Sequence, residues 1–181
     1  MKTLILYLSR DGQTAKIAQR LSQQIDHETE VLSLREQAVD FGQKLASADQ
    51  IVIGASIRYG HFDPILEAFI KQYHEVLNSK PSAFFSVNLT ARKANRNTPQ
   101  TNVYTRKLLA RIAWKPDLVE VIAGALFYPR YSFFDRFMIR FIMKITGGET
   151  DTSKEVEYTD WEQVARFATR LNDLRPNDLA D

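Results

Sequence analysis

Thr3-Leu4-Ile5-Leu6-Tyr7-Leu8 runs directly into Ser9-Arg10-Asp11-Gly12-Gln13-Thr14, and this junction decides the fold. Six residues with almost no polar character, bounded by turn formers, read as a strand buried on both faces. Beyond Gly12 the period changes. Ile17, Leu21 and Ile25 recur every four residues, the signature of one helix face over Gln13–Ile25.

The same alternation continues outward. Glu30–Leu34, Gln50–Ala55, Ser82–Val87 and Val119–Leu126 read as further strands. Asp63-Pro64 opens a helix with Ile65, Phe69 and Tyr73 inward. Thr98-Pro99 opens another, with Tyr104, Leu108 and Ile112 inward. Thr159-Asp160-Trp161-Glu162 reads as a capping box for a last helix that buries Trp161, Val164, Ala168 and Leu171. Strands separated by helices demand right-handed crossovers. The expected fold is α/β, a doubly wound five-stranded parallel sheet of order 2-1-3-4-5. One domain covers 1–174, with a helical insertion at about 127–152, between strand 5 and the last helix. Residues 175–181 read as a frayed polar tail.

Composition narrows the chemistry. Cys is 0 in 181 residues, which excludes disulfides, thiolate metal sites and a cysteine nucleophile. Three scattered histidines, His27, His61 and His74, give no metal-ligand pattern, so no metal is expected. The net charge of +2 conceals a division: residues 90–144 hold 11 basic and 3 acidic side chains, whereas 145–181 hold 4 and 9. The basic stretch offers a cationic face to something anionic. No nucleic-acid motif accompanies it, so nucleic acid is not the expected partner. The amino-terminal apolar run is too short for a signal peptide, which points to a cytoplasmic location.

In a doubly wound sheet, ligands sit beyond the carboxyl ends of the strands, at the switch point. Three loops meet there. In the first, helix-terminal N–H groups, the Ser9 and Thr14 hydroxyls and the turn at Gly12 suit a phosphate. Neither GxGxxG nor GxxxxGK[ST] is present. The loop resembles the flavodoxin monophosphate loop, [ST]-x-[ST]-G-x-[ST], which implies FMN. It departs from that pattern at Asp11, a carboxylate for which Arg10 is the candidate partner. The cofactor residues expected here are Ser9, Arg10, Asp11, Gly12, Gln13 and Thr14. The second loop adds Ser56, Ile57, Arg58, Tyr59 and Gly60, with Tyr59 suited to stacking on a flat ring. The third adds Asn88, Leu89, Thr90, Ala91 and Arg92. No catalytic residue is fixed; Arg58 and His61 are the candidates, Arg58 for negative charge and His61 for proton relay.

The insertion holds Phe133–Ile145, 9 of whose 13 residues are large and apolar. Ser132 and Asp135 form its cap and Gly147 its stop. Arg136, Arg140 and Lys144 fall every fourth residue, a cationic stripe on a greasy rod. At about 1.5 Å per residue the helix is too short to cross a bilayer but suits its interface. A lid over an apolar substrate and a subunit contact are the alternatives. The candidates for substrate or membrane contact are Arg130, Phe133, Phe134, Arg136, Phe137, Arg140, Phe141 and Lys144.

The blocks SRDGQTAKIA, VIGASIRYGH, SAFFSVNLTARK and GGETDTSKEVEYTDWEQVA extend the likeness to nearly the whole chain. It resembles the flavodoxin-like, quinone-dependent protoporphyrinogen IX dehydrogenases of haem biosynthesis. That resemblance implies FMN, oxidation of protoporphyrinogen IX to protoporphyrin IX, and electrons passed to menaquinone or ubiquinone. It also implies peripheral attachment to the cytoplasmic side of the inner membrane, with a homo-oligomer left open. Substrate propionates would meet Arg58, Arg92, Arg130 or Arg136. The competing readings are a flavodoxin-type electron carrier, which is typically acidic, and an NAD(P)H:quinone oxidoreductase.

Overall fold

The computed structural model describes residues 1–175, so the tail expected from 175 lies, beyond its first residue, outside the described residues. Strand β1 is Lys2–Leu8. Helix α1, Gln13–Ser22, leads to β2, Glu28–Ser33. Helix α2, Phe41–Ser47, leads to β3, Gln50–Arg58. The short β4, His61–Phe62, precedes α3, Pro64–Asn78, and β5, Ser82–Asn88. Helix α4, Val103–Arg111, leads to β6, Leu118–Ala123. Then come β7, Ala125–Phe127, α5, Phe133–Thr146, β8, Glu155–Glu157, and α6, Trp161–Asp173.

The parallel order is β2-β1-β3-β5-β6, the expected 2-1-3-4-5 arrangement. Alternation along the strands builds two cores. Leu4, Leu6 and Leu8 face α3 and α4 through Leu66, Phe69 and Leu108, while Ile5 faces α1 and α6 through Ile17, Val164 and Phe167. Both faces of the sheet are therefore covered, which explains why β1, β3 and β5 read as near-continuous apolar runs.

Several boundaries differ from the sequence reading. Helix α1 ends at Ser22 rather than Ile25. Helix α2, capped by the Asp40 carboxylate on the Gln43 amide, lies in a stretch where no element was expected. Helix α4 starts at Val103, not at Thr98-Pro99. Thr98 and Thr101 close a turn of their own, and the Asn102 side chain caps the Thr105 amide at 3.1 Å. The expected strand Val119–Leu126 breaks at Gly124. Its second piece, β7, leaves the main sheet and pairs antiparallel with β8. Asp160, not Thr159, caps α6; Thr159 is buried, donating its hydroxyl to the Ala123 carbonyl at 2.7 Å.

The insertion carries a small core of its own. Leu126, Tyr128, Tyr131, Ile139 and Met143 pack together above the β7–β8 ribbon. The Tyr128 hydroxyl donates to the Glu149 carbonyl at 2.8 Å, and its pKa is pushed up to about 12, chiefly by burial. Ser132 and Gly147 bound α5 as the sequence suggests, with the Ser132 hydroxyl accepting from the Asp135 amide.

Gly54, in the middle of β3, lies under the Phe85 ring: a Cβ there would stand 2.0 Å from Phe85 Cζ. That clash is with a fully buried ring inside the α1/α6 core. Gly54→Ala is expected to cost about 3 kcal/mol in urea unfolding, and Phe85→Leu in the same chain to recover part of that loss.

Candidate functional site

The carboxyl ends of β1, β3 and β5 open into one cavity of about 430 Å³, closed on its far side by α5. Ser9, Arg10, Asp11, Gln13 and Thr14 line it from the first loop. Ser56, Ile57, Arg58, Tyr59 and Gly60 line it from the second, and Asn88, Leu89 and Thr90 from the third. The fourth wall is the insertion, as in the lid alternative, but through residues outside the expected set: Tyr131, Met138, Ile139, Ile142 and Met143, with Gly124 and Ala125 just before it. Tyr104 of α4 joins them. The signal was present as apolar pairs at 138/139 and 142/143, one turn apart on the side opposite the phenylalanines.

At the first loop, α1 begins at Gly12 in the left-handed region, φ 95°, with no side chain capping its amides. Gln13 and Thr14 are buried. The Thr14 hydroxyl is buried without a hydrogen-bond partner. A buried orphan hydroxyl beside uncapped helix amides is the arrangement a phosphate completes. Gly12 itself borders a neighbouring groove rather than the cavity.

Asp11 is not paired with Arg10, as the sequence suggests. Arg58 Nη2 donates to both Asp11 oxygens, at 2.6 and 2.5 Å. The reason lies in β4: the hairpin at Tyr59-Gly60 turns β3 back and holds Arg58 in register with His61. From there Arg58 also reaches Asp135 of α5 at 3.5 Å and stacks on Tyr131, with its guanidinium carbon 5.0 Å from the ring centroid. Its side chain is only 12% exposed. Burial disfavours its charge, but hydrogen bonding and attraction to Asp11 more than offset that, leaving its pKa raised. The Tyr59 hydroxyl donates to Asp135, which pulls the Asp135 carboxyl below its usual range. Tyr59, at φ 52° and partly exposed, is pushed upward by burial and by Asp135.

The third loop is held by buried amides. Asn88 Oδ1 accepts from the Ala91 amide at 3.0 Å, from Thr90 Oγ1 at 2.7 Å and from Asn102 Nδ2 at 3.2 Å. Ala91 packs under the loop against Val121 and Ala123, away from the cavity. Arg92 also turns away. It donates to the Leu89 carbonyl at 2.8 Å and to the Thr146 carbonyl at 3.0 Å, securing the carboxyl end of α5.

The expected carboxylate binders are thus otherwise engaged. Arg58 and Arg92 are held as described. Arg130 pairs with Glu155 at 2.7 Å. Arg136 donates to the Tyr128 carbonyl at 3.2 Å. His61 is exposed and lines an adjoining recess rather than the cavity. Phe133, Phe134, Phe137 and Phe141 face outward, 89%, 66%, 62% and 54% exposed. Arg140 and Lys144 are exposed, with no partner among the described residues.

Residues 4–153 match the family model described as "Flavodoxin domain". A relative from Escherichia coli (strain K12), named protoporphyrinogen IX dehydrogenase (quinone), is 52% identical over 178 residues, 96% of either chain. The chain belongs to this family. A relative of the same name from Leishmania major is 53% identical over 172 residues, 93% of this chain and 73% of the relative. The fold is shared with a crystallised Bacillus cereus protein titled oxidised Flavodoxin 2. Its TM-score is 0.53 and its identity 20%, over 96% of this chain and 99% of that one. The match to the family spans both the phosphate-type loop and the insertion that walls the cavity.

Thr14→Val keeps the side chain's shape and removes the orphan hydroxyl. The variant is expected to unfold in urea at the same or a higher midpoint, yet to bind FMN about tenfold more weakly while its affinity for riboflavin stays unchanged. Fluorescence titration reads both.

Proposed function

We propose that this chain is an FMN-dependent protoporphyrinogen IX dehydrogenase that passes electrons to a membrane quinone, menaquinone or ubiquinone. The observation that carries this reading is the fourth wall. A flavodoxin-type cleft becomes, through α5, a mainly apolar chamber. Kinship with the named dehydrogenases over almost the full length supports it.

FMN, when bound, would supply two-electron redox chemistry between the porphyrinogen and the quinone. The chain's part is orientation and electrostatics. The α1 amides and Thr14 would hold the phosphate. Tyr59, Leu89 and Tyr104 offer apolar and aromatic surface to a flat ring. Met138, Ile139, Ile142 and Met143 exclude water on the insertion side. Neither Lys nor His lines the cavity among the described residues, and Asp11 is occupied by Arg58, so no protein nucleophile is invoked. An acidic electron carrier is disfavoured by the 11 basic residues at 90–144.

The outward phenylalanines with Arg140 and Lys144 support peripheral docking on an anionic membrane, on the cytoplasmic side of the inner membrane. No helix among the described residues is long and apolar enough to cross a bilayer. A lipid-soluble acceptor has to be met at such a surface.

The decisive assay is anaerobic. Holoprotein given protoporphyrinogen IX and a quinone as sole acceptor is expected to generate porphyrin fluorescence, and none without quinone. Fluorescence indifferent to quinone overturns the reading. Arg140→Glu with Lys144→Glu is expected to reduce sedimentation with phosphatidylglycerol vesicles at least tenfold, since each charge near such a surface contributes about 1 kcal/mol.

A further inference from the structure

Arg10 is the cation at the mouth of the cavity that the fold leaves unemployed. The cavity lining contains two arginines, Arg10 and Arg58. Arg58 is committed to Asp11 and Asp135. Arg10 is exposed and has no hydrogen-bond or ion-pair partner among the described residues. The carboxylate next to it in sequence, Asp11, is already neutralised by Arg58, so the charge on Arg10 is not cancelled locally.

Arg10 also lines an adjoining recess of about 200 Å³, together with Arg35, Arg58, His61 and Asp63. Asp63 is the acid of that recess, and it is paired with Arg35 while capping α3. The balance leaves Arg10 and the His61 ring facing the recess without acidic partners among the described residues. Ser9 and Ser56 belong to both spaces, so the recess and the main cavity share one rim.

We infer that Arg10 is the anchor for a carboxylate of the substrate, with the recess beside His61 as its seat. The inference rests on the reading above, in which the substrate is a porphyrinogen bearing two propionates. A chamber of about 430 Å³ that houses FMN has little room left for a tetrapyrrole. The macrocycle therefore lies across the mouth, with its apolar body against α5 and its acidic edge toward the recess. Arg10 lines that recess. A guanidinium can take a carboxylate with two parallel N–H donors, which sets the rotation of the ring as well as its hold. Arg10 is in this sense a positioning residue: it fixes which carbon of the macrocycle faces the redox centre.

The test uses FMN-loaded protein, wild type and Arg10→Gln, titrated with protoporphyrin IX and with its dimethyl ester by porphyrin fluorescence. Wild type is expected to bind the diacid at least tenfold more tightly than the diester. In Arg10→Gln, with FMN held at saturation, that preference disappears through weaker diacid binding, and Arg10→Lys restores part of it. A preference that survives Arg10→Gln at saturating FMN, or a wild type that prefers neither ligand or binds neither, overturns the assignment. Turnover of protoporphyrinogen IX in the same wild-type preparation reports separately on the reaction. Acid preference without turnover refutes the proposed function and leaves the carboxylate seat standing.

Discussion

A guanidinium with little access to solvent joins three parts of this molecule that are far apart in sequence. Arg58 sits at the end of β3, Asp11 in the turn before α1, and Asp135 in the first turn of the insertion helix. An isolated buried charge is costly, so Arg58 needs its carboxylates as much as they need it. The consequence is geometric. The phosphate-type loop cannot shift without disturbing the insertion, because both are ligands of the same side chain. The departure at Asp11 from the common loop pattern, which alone would repel a phosphate, becomes intelligible as one half of this link.

The insertion makes the cleft a chamber. Its helix presents Met138, Ile139, Ile142 and Met143 inward and a row of phenylalanines outward. Arg92 holds its last turn, and the β7–β8 ribbon supports its base. Ile139 and Met143 add an apolar anchor, buried with Leu126, Tyr128 and Tyr131. The row of phenylalanines takes no part in that anchoring and stays exposed.

The sheet was legible because period and burial agree: β1, β3 and β5 are covered on both faces, so their runs are uninterrupted, and Gly12 marks the first turn. Helix α2 was missed because its seven residues bury only Leu45, too little for a periodic signal. The start of α4 was misplaced because Thr98-Pro99 looks like a helix start, whereas the true cap, Asn102, is selected by a contact with Asn88 across the chain. Among the site residues, the loops were found from topology, but side-chain direction was not. Arg92 and Ala91 belong to the right loop and point the wrong way. Arg136 has the spacing of a surface stripe and is instead bound to backbone carbonyls. Such assignments depend on distant partners that a linear pattern does not encode.

The double-sided character of α5 has a consequence for how this family can vary. Each residue added to or removed from an α-helix rotates everything beyond it by about 100°. A single-residue insertion ahead of Phe137 would therefore put Phe137 and Phe141 in the places of Met138 and Ile142, and a deletion there would put Arg140 and Lys144 in the places of Ile139 and Met143. The segment 150–154 after it, which adds nothing to the insertion's core, is where a change of length is tolerated. The helix thus behaves like a key cut on two edges: its teeth can be exchanged one at a time, but its reading frame is locked.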